Sequence, residues 1–576
     1  MTDRTHNRAH TAATFHCARA GAEVLLKNWV LVAALGFGQL ALADPAIFFT
    51  DVESGPVHGG THDLGVPISI FGKGFESARG VSKVTIGGVE VAAYAVWGAN
   101  NARNNTLDMV VVQPGATTVG GPIVLTVNGT ASNSNFSFVV NTGKVRYVAT
   151  NGADSNPCTE LAPCATLLHV IDPSVTGSGD TVLVRGGNYG EGEIWVQMVH
   201  KGASGQQKTL KNFPGEEVLL SNPSRNLIVD SDYITISGFH FSNGKSTGVT
   251  ERSDLDRHLG DKFINNLIDG ELAWAAIDSH GNDHTLAGNV CNAATSTVGT
   301  QGHCYYVSYG NNLKILYNIA NGATGYGLHI FDQRRQTSDF RRVISQVLVE
   351  GNILKSSPER SGMILAMGDE GGYGNKIDGV TIRNNIFLAN NHVGLALGVN
   401  VRNIKVLNNT FYQNGRQEIQ LTENGPLSNI VIANNLLFHG PNSNCATFCS
   451  WYQDAHLQFT PSQVSNLVVA NNGYFGQAIT ILNGTGSNQV NIGAAGDSSP
   501  VVGAVSFLNP AVFDFRVLVG GAAIDHGTNQ GGLVPGDYNG VRRPQGTTFD
   551  LGAFEYDTGR RDPTGLAAPR KLRLLN

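Results

Sequence analysis

Residues 380–387 read VTIRNNIF, and residues 404–411 repeat the pattern as IKVLNNTF. In both stretches apolar side chains alternate with polar ones before an asparagine, Asn385 in the first and Asn409 in the second. A hydrophobic period of two is typical of β-strands and not of helices. Each stretch therefore predicts a strand that ends at an asparagine corner.

The pattern occurs eight times, at intervals of 23 to 37 residues. A shortest interval of 23 residues with irregular extra length indicates a solenoid whose coils carry loops of different sizes. Coils stacked about 4.8 Å apart place each asparagine above the last, so that their side-chain amides can bond in a ladder. We also expect these asparagines to take the left-handed backbone conformation at each corner. The alternative is a set of ordinary turn asparagines in a β-sandwich. Eight copies of the pattern with the asparagine at the same position in each disfavour it. The eight are Asn266, Asn289, Asn318, Asn352, Asn385, Asn409, Asn435 and Asn472.

These coils resemble right-handed parallel β-helices, especially pectate-lyase-like and chondroitinase-B-like polysaccharide-degrading proteins. Residues 146–158 (RYVATNGADSNPC) and 179–191 (GDTVLVRGGNYGE) are similar to the segments that open many secreted helices of this kind. Residues 537–556 (DYNGVRRPQGTTFDLGAFEY) resemble their closing coil. The resemblance covers residues 145–556 and implies a catalytic β-helix, but it is more specific for the fold than for the reaction.

Residues 44–141 contain short alternating segments separated by glycine turns, such as VPISIFGKGF (66–75) and VTIGGVEV (84–91). Such segments predict a small β-sandwich. Their order resembles the TIG/IPT branch of immunoglobulin-like domains, which implies a structural module, with carbohydrate binding as the alternative role. The predicted fold is therefore all-β: an N-terminal immunoglobulin-like (TIG/IPT) sandwich followed by a right-handed parallel β-helix with an asparagine ladder.

The two ends of the chain differ from the middle. Residues 1–43 are predicted to be a signal peptide, because four basic residues precede an apolar run that ends in an A-x-A cleavage motif. An uncleaved anchor is the alternative, although the run is short for a membrane span. Residues 557–576 combine proline, glycine and clustered cations, which predicts a disordered tail or a linker remnant.

Cysteine usage and charge point to the same compartment. Of the seven cysteines, Cys17 lies in the leader, and the other six fall into neighbouring pairs that we expect to be disulfides in an extracellular or periplasmic setting. A formal net charge of −6 makes nucleic acid a poor partner. We expect a secreted monomer that acts on an extracellular polysaccharide and is free of the membrane after signal cleavage. The expected pairs are Cys158–Cys164, Cys291–Cys304 and Cys445–Cys449.

One strand per coil can be aligned across seven coils, beginning with AAIDSHG (275–281), HCYYVSYG (303–310) and YGLHIFD (326–332). Their alternation assigns eleven apolar side chains to the interior and turns the intervening residues outwards. The interior set is Ile277, Tyr305, Val307, Leu328, Ile330, Leu365, Leu395, Leu397, Ile419, Leu421 and Leu457.

The outward set has reactive side chains on three successive coils, beside a strip of alanine and glycine where a polymer can lie. At the coil spacing these groups converge within about 10 Å. The aligned segment 326–332 is followed by residues 333–342 (QRRQTSDFRR), which we name the arginine loop. Each group has a plainer interpretation, as a surface histidine, a tyrosine stacked on the next coil or a solvated loop. The expected catalytic residues are His329, Tyr306, His303 and Asp332, and the expected substrate-binding residues are Arg334, Arg335, Asp278, His280, Asp369 and Glu370.

The arginine loop favours β-elimination on a uronic-acid polymer, in which a cation must neutralise the carboxylate before a base removes the neighbouring proton. In that scheme Arg334 and Arg335 bind the carboxylate, His329 is the base and Tyr306 the acid. The resembled lyases often use lysine or arginine as base, commonly with calcium, so the resemblance implies Ca2+ as the candidate cofactor.

Three alternatives stay open. In glycoside hydrolysis, carboxylates drawn from Asp278, Asp332, Asp369 and Glu370 would flank the scissile bond. A uronate epimerase shares the first step of the lyase reaction, and IDSHGNDH (277–284) is loosely similar to the Asp-x-His motif of alginate epimerases. A non-catalytic adhesin or carbohydrate-binding helix is the third.

Overall fold

The computed structural model of the chain describes most of the predicted sandwich and helix. The predicted leader, the Cys445–Cys449 pair and nearly all of the predicted tail lie outside the described residues. No helix among the described residues is long and apolar enough to cross a membrane. The described residues are 44–98, 101–223, 225–242, 247–251, 258–271, 274–294, 301–332, 343–368, 374–421, 425–440, 454–484 and 488–557.

The N-terminal region forms two β-sheets around a shared apolar core. In the strand Gly121–Val127, Ile123, Leu125 and Val127 are buried and alternate with half-buried or exposed residues, which is the period-two pattern of a strand with one face on a core. A sandwich is therefore present, while its assignment to the TIG/IPT branch stays a prediction. The first sheet contains Ala46–Thr50, Ile68–Lys73, Asp108–Gln113 and Ala93–Gly98, and the second contains Ser54–Gly55, Ser137–Val140, Gly121–Val127, Lys83–Ile86, Val89–Glu90 and Thr130–Ala131.

From Val145 onwards the chain winds through three long sheets in turn, with parallel pairing between successive coils. We name them sheets A, B and C in the order in which a coil passes through them. This arrangement confirms the predicted parallel β-helix. Sheet A contains Val145–Val148, Thr181–Val184, Lys208–Asn212, Ile234–Ser237, Lys262–Ile264, Thr285–Ala287, Asn311–Leu316, Val343–Glu350, Lys376–Arg383, Val401–Leu407, Leu427–Ala433 and Val464–Ala470.

Sheet B has short strands, and its last eight strands, from Leu267–Glu271 to Gly473–Phe475, each follow one of the asparagine corners. Sheet C follows sheet B and includes the seven strands aligned from the sequence. Sheet B contains Gly187–Tyr189, Val218–Ser221, Phe239–Ser242, Leu267–Glu271, Val290–Ala294, Ile319–Asn321, Ile353–Lys355, Ile386–Leu388, Thr410–Tyr412, Leu436–Phe438 and Gly473–Phe475. Sheet C contains Ile194–Val196, Arg225–Val229, Thr247–Glu251, Ala275–Asn282, His303–Tyr309, Leu328–Asp332, Met363–Met367, Leu395–Leu397, Gln417–Leu421, Ala455–Phe459, Ile481–Asn483 and Val490–Asn491, with His258–Leu259 paired beside Ala275–Asn282.

Helical segments are short and lie between strands. The α-helix Leu167–Val170 is capped by Thr166, whose side chain accepts a hydrogen bond from the backbone N–H of His169. The 3-10 segments are Thr61–Asp63, Met198–His200, Pro461–Gln463, Gly493–Gly496, Pro510–Val512 and Gly531–Leu533.

All eight predicted asparagines form one continuous ladder at the corner between sheets A and B. Each side-chain amide donates to the amide oxygen of the next, from Asn266 to Asn472, at 2.9–3.0 Å. The ladder ends on the carboxylate of Asp497, which accepts from Asn472 at 2.9 Å. Because every ladder amide is buried, these bonds remove a desolvation cost that would otherwise oppose stacking.

The sequence predicted a left-handed backbone conformation for the ladder asparagine of each corner. In the structure the residue before that asparagine has this conformation instead. Asn265, Tyr317 and Asn384 have φ of 52°, 52° and 54°, and Gly288 and Gly351 occupy the same position in other coils. The expectation was wrong because the amide of the ladder residue must point inwards to bond, which leaves the tight turn to its neighbour. Repeated NN pairs therefore supply one residue for each role.

The sandwich packs directly on the helix. Lys211 of sheet A and Asp51 of the sandwich form a buried ion pair of 2.7 Å, and Lys211 also donates to the carbonyl oxygen of Pro67. At the ladder corner, Asn104 donates to the carbonyl oxygen of Tyr317 at 2.8 Å, and Phe48 stacks on the Tyr317 ring. The contacts are buried on both sides, so the two parts share an extended interface.

The resemblance predicted a closing coil at residues 537–556, but these residues do not form one. None of their described residues joins sheets A, B or C, and they instead lie against the ladder corner, where Asn408 donates to the carbonyl oxygen of Asp550. A buried Arg543–Glu555 ion pair of 2.6 Å holds this segment together. Two predicted disulfides, Cys158–Cys164 and Cys291–Cys304, are confirmed.

Candidate functional site

Sheet C has the alternation that the sequence predicted. The eleven residues assigned to the interior are at most 1% exposed. Strand pairing aligns Asp278 with Tyr306, Tyr306 with His329 and His329 with Ile364, which forms one outward-facing column across four coils. The rings of Tyr306 and His329 have centroids 4.9 Å apart. The structure thus places these two side chains next to each other on the outer face of one sheet.

A pocket of about 380 Å³ opens over this column. The rings that enclose it pack closely: His303 lies 4.6 Å from His329 and 5.5 Å from Tyr306 between centroids. This packing explains why outward-facing Tyr306 and His329 are only 6% and 9% exposed. The lining residues are Trp274, Gln301, His303, Tyr306, Tyr326, His329, Phe331, Arg360 and Ile364.

Two hydrogen bonds fix the protonation of the histidines. The backbone N–H of Tyr326 donates to Nδ1 of His303 at 2.9 Å, so this nitrogen must carry a lone pair. The proton of neutral His303 is then on Nε2, which lies 3.3 Å from Nδ1 of His329 and donates to it. His329 therefore carries its own proton on Nε2. In this arrangement His329 presents a hydrogen-bond donor, not a lone pair, on the side away from His303.

Burial keeps both imidazoles neutral. Loss of solvation lowers the pKa of His303 to about 4, and it lowers the pKa of His329 well below its ordinary value, with further depression by His303 and Arg360. Burial also raises the pKa of Tyr326, although Arg360 opposes this shift. The pocket at neutral pH therefore combines two neutral imidazoles, phenol groups and the guanidinium of Arg360.

A second hydrogen-bonded chain lies beside the pocket. Trp274 donates from Nε1 to Oδ2 of Asp278 at 3.1 Å, and Oδ1 of Asp278 is 2.7 Å from Nε2 of His280. The other ring nitrogen of His280 is 2.6 Å from the hydroxyl of Ser308. Asp278 and His280 are thus linked to the pocket wall through Trp274 and do not line the pocket themselves.

The remaining predicted site residues are placed differently or lie outside the described residues. Asp332 ends the strand Leu328–Asp332, and its backbone pairs with Met367. Arg334, Arg335, Asp369 and Glu370 fall outside the described part of the chain. The expected carboxylate-binding role of the two arginines therefore stays a prediction.

Sequence reasoning missed Trp274, Gln301, Tyr326 and Arg360. Trp274 directly precedes the sheet C strand Ala275–Asn282, and the other three also lie just ahead of sheet C strands. Tyr326 begins the aligned segment 326–332 but was not singled out as a site residue. Aligned segments extended by three residues at their start would also have included Trp274, Gln301 and Arg360.

Calcium requires several oxygen ligands around one point. Within the described ranges, the only group of three side chains close enough to hold a metal is Cys158, Cys164 and His169, and its two cysteines form a disulfide. The described residues of the pocket thus do not fit a calcium site, and no step is assigned to a metal.

No protein-family model matches the sequence, and no curated protein matches it significantly. Among solved structures, the pectate lyase Pel9A is similar, with a TM-score of 0.47 and 17% identity over 72% of this chain and 97% of that one. XylC in complex with xylose gives a TM-score of 0.46 and 10% identity over 71% and 98%. The A-module of the mannuronan C-5 epimerase AlgE6 from Azotobacter vinelandii gives 0.37 and 14% over 57% and 91%.

Proposed function

We propose that the protein is a secreted polysaccharide lyase that cleaves a uronic-acid-containing polysaccharide by β-elimination. The observation that carries this proposal is the convergence of Tyr306, neutral His329 and Arg360 in one pocket on sheet C. These groups provide the three requirements of the reaction, which are proton transfer, hydrogen-bond donation and neutralisation of a carboxylate.

Arg360 is the residue best placed to bind the substrate carboxylate. It lines the pocket, and its guanidinium lies 5.9 Å from the centroid of the Tyr326 ring. A carboxylate held by a guanidinium withdraws electrons from the neighbouring carbon, so the proton on C5 of the uronate becomes more acidic. His303, Tyr306 and His329 are buried, and the loss of solvent around these side chains strengthens the electrostatic effect.

The hydrogen-bond direction favours roles opposite to those expected from the sequence. Because His329 carries its proton on Nε2, it can donate to the carboxylate but cannot accept a proton there. We therefore assign the transfer of the C5 proton to Tyr306, which enters the step as a phenolate after its phenolic proton has been released to solvent. The C5–H electrons form the C4=C5 double bond, the C4–O4 bond breaks, and Tyr306 returns its proton to O4. His303 is then a positioning residue that fixes the tautomer of His329.

Glycoside hydrolysis is less well supported by the same pocket. That reaction needs two carboxyl groups on either side of the scissile bond. The lining residues that the structure describes include no carboxylate, and Asp278 lies behind Trp274, whose indole N–H donates to it. A uronate epimerase would use the same first step but return the proton to C5, so its product keeps the polymer intact.

The test is incubation of the purified full-length protein with a panel of uronate polymers. Elimination creates an unsaturated, ultraviolet-absorbing end together with a new reducing end. Hydrolysis gives reducing ends without the absorbance, epimerisation gives neither but changes the sugar composition, and an adhesin gives no product. A calcium chelator in the same assay decides whether the reaction depends on the metal. Reducing ends without unsaturated products would overturn the lyase proposal.

A further inference from the structure

Trp274 is an exposed aromatic residue at the edge of the pocket. The residue is 37% exposed, and no other Phe, Tyr or Trp within the described ranges is as exposed. It lines the same cavity as His303 and Tyr306. Leaving an indole in water forgoes the burial energy of a large apolar surface, so its place beside a polar pocket requires an explanation.

The exposed indole is held in a fixed orientation. Its N–H donates to Oδ2 of Asp278 at 3.1 Å, and Asp278 is itself bonded to His280 at 2.7 Å. The chain continues to Ser308 on the next coil, which ties the side chain to two adjacent strands of sheet C. A side chain already fixed before binding loses little conformational entropy when a ligand contacts it.

The rings around Trp274 leave it without a parallel partner among the described residues. Tyr306 is tilted by 51° at 5.1 Å, and His303 meets it edge-on, with an interplanar angle of 77° at 5.9 Å. Aromatic rings bind apolar C–H groups across their faces, and a pyranose ring has such C–H faces. Neither of these two rings is stacked in parallel on the indole, which therefore offers a stacking surface.

The spacing matches a polymer that runs across the strands. The carbonyl oxygen of Trp274 accepts a hydrogen bond from the backbone N–H of His303, so the two residues lie on adjacent coils. Adjacent coils are about 4.8 Å apart, which is close to the length of one pyranose unit. A sugar on Trp274 would thus be the neighbour of the sugar at Tyr306 and His329.

We propose that Trp274 is the stacking platform of a second sugar subsite, which binds the pyranose unit next to the one that reacts. Asp278 acts as a positioning residue that holds the indole in its binding orientation. The inference rests on the proposed function in one respect, namely that the ligand is a polysaccharide. It does not depend on whether the bond is broken by elimination or by hydrolysis.

The test combines kinetics with binding. With the polymer that is turned over, Trp274→Ala should raise KM roughly tenfold with little change in kcat, and Trp274→Phe should recover part of the loss. Asp278→Ala should also raise KM, and Asp278→Asn, which keeps an oxygen acceptor for the indole, should restore it in part. Trp97→Phe, in the sandwich, is the matched control, because the Trp97 indole contacts the sandwich and donates to the carbonyl oxygen of Phe75.

Calorimetric titration in the Tyr306→Phe background separates binding from reaction. Trp274→Ala should weaken the binding of tetrasaccharides roughly tenfold, and it should weaken monosaccharide binding less, since a monosaccharide can occupy the reacting subsite alone. If Tyr306→Phe and the double variant Tyr306→Phe with Trp274→Ala bind tetrasaccharides with equal affinity, Trp274 is not a stacking platform. This holds even if the wild type carries out elimination. Weakened binding by Trp274→Ala, together with a wild type that forms no unsaturated product from the bound polymer, would support the platform and overturn the lyase proposal.

Discussion

His303 and His329, on adjacent coils of sheet C, share one hydrogen bond of 3.3 Å from Nε2 to Nδ1, and the backbone N–H of Tyr326 sets its direction. This contact decides which face of His329 carries a proton. It makes His329 a donor towards the pocket, which is why we propose Tyr306 as the proton-transfer group.

Replacement of Tyr306 by phenylalanine tests the proton-transfer role. The ring that packs on His329 remains, while the hydroxyl is lost, so we expect kcat to fall about 100- to 10,000-fold with little change in KM. Unsaturated product is measured by ultraviolet absorbance, and circular dichroism verifies the fold. A variant that retains most of its kcat would show that Tyr306 is not the proton-transfer group.

Replacement of Arg360 by glutamine tests carboxylate neutralisation. Glutamine keeps hydrogen-bonding capacity but removes the charge, and we expect kcat/KM on the uronate polymer to fall about 100- to 1,000-fold. Arg402→Gln is a suitable control, because Arg402 pairs with Asp378 on sheet A, away from the pocket. If both variants lose activity equally, the effect is general and not specific to the pocket.

The depressed histidine pKa values predict that acid destabilises the protein. In the folded state the pKa of His303 is about 4, against 6.5 when unperturbed, and the pKa of His456 is also lowered to about 4. Between these values the unfolded chain binds more protons than the folded one, so the free energy of unfolding falls as pH drops from 6.5 towards 4.

The measurement for this prediction is urea denaturation of the wild type and His303→Gln at pH 7, 5 and 4. Glutamine can still accept the Tyr326 N–H but does not titrate here. We expect the variant to lose less stability over this range than the wild type, by about 1 kcal/mol or more. Parallel pH profiles for the two proteins would contradict a buried neutral His303.

The parts of the fold that repeat could be predicted, and the parts that depend on single loops could not. The period-two strands and NN corners recur with each coil, so the ladder from Asn266 to Asn472 and the Tyr306–His329 neighbourhood follow from the register alone. Trp274 and Arg360 lie in turns whose lengths vary between coils, so their position relative to the strands has no sequence period. The tautomer of His329 depends on a backbone N–H, which no side-chain pattern reports.

The asparagine ladder predicts that replacing a buried asparagine lowers the free energy of unfolding much more than replacing an exposed one. Asn385→Ala removes a buried amide that donates to Asn409 and accepts from Asn352, and it leaves both neighbours without these bonds. We expect a loss of about 3 kcal/mol or more in the free energy of unfolding, measured by chemical denaturation. Asn403→Gly is the control, since Asn403 bonds to Asn429 on the surface and glycine tolerates its φ of 57°. Equal losses of unfolding free energy in Asn385→Ala and Asn403→Gly would show that the buried ladder bonds contribute no more to stability than a surface bond.

The Lys211–Asp51 pair predicts that the sandwich and the helix unfold together. Both side chains are at most 1% exposed, and Asp51 also accepts from Ser237 of sheet A at 2.9 Å. Lys211→Met leaves a buried carboxylate without its cation, and we expect a loss of about 3–5 kcal/mol, whereas the double variant Lys211→Met with Asp51→Leu should recover much of it. Chemical denaturation of the wild type should then give one transition by both tryptophan fluorescence and circular dichroism. Two separate transitions, with Lys211→Met shifting only one of them, would instead mean that the sandwich is an independent module on the helix surface.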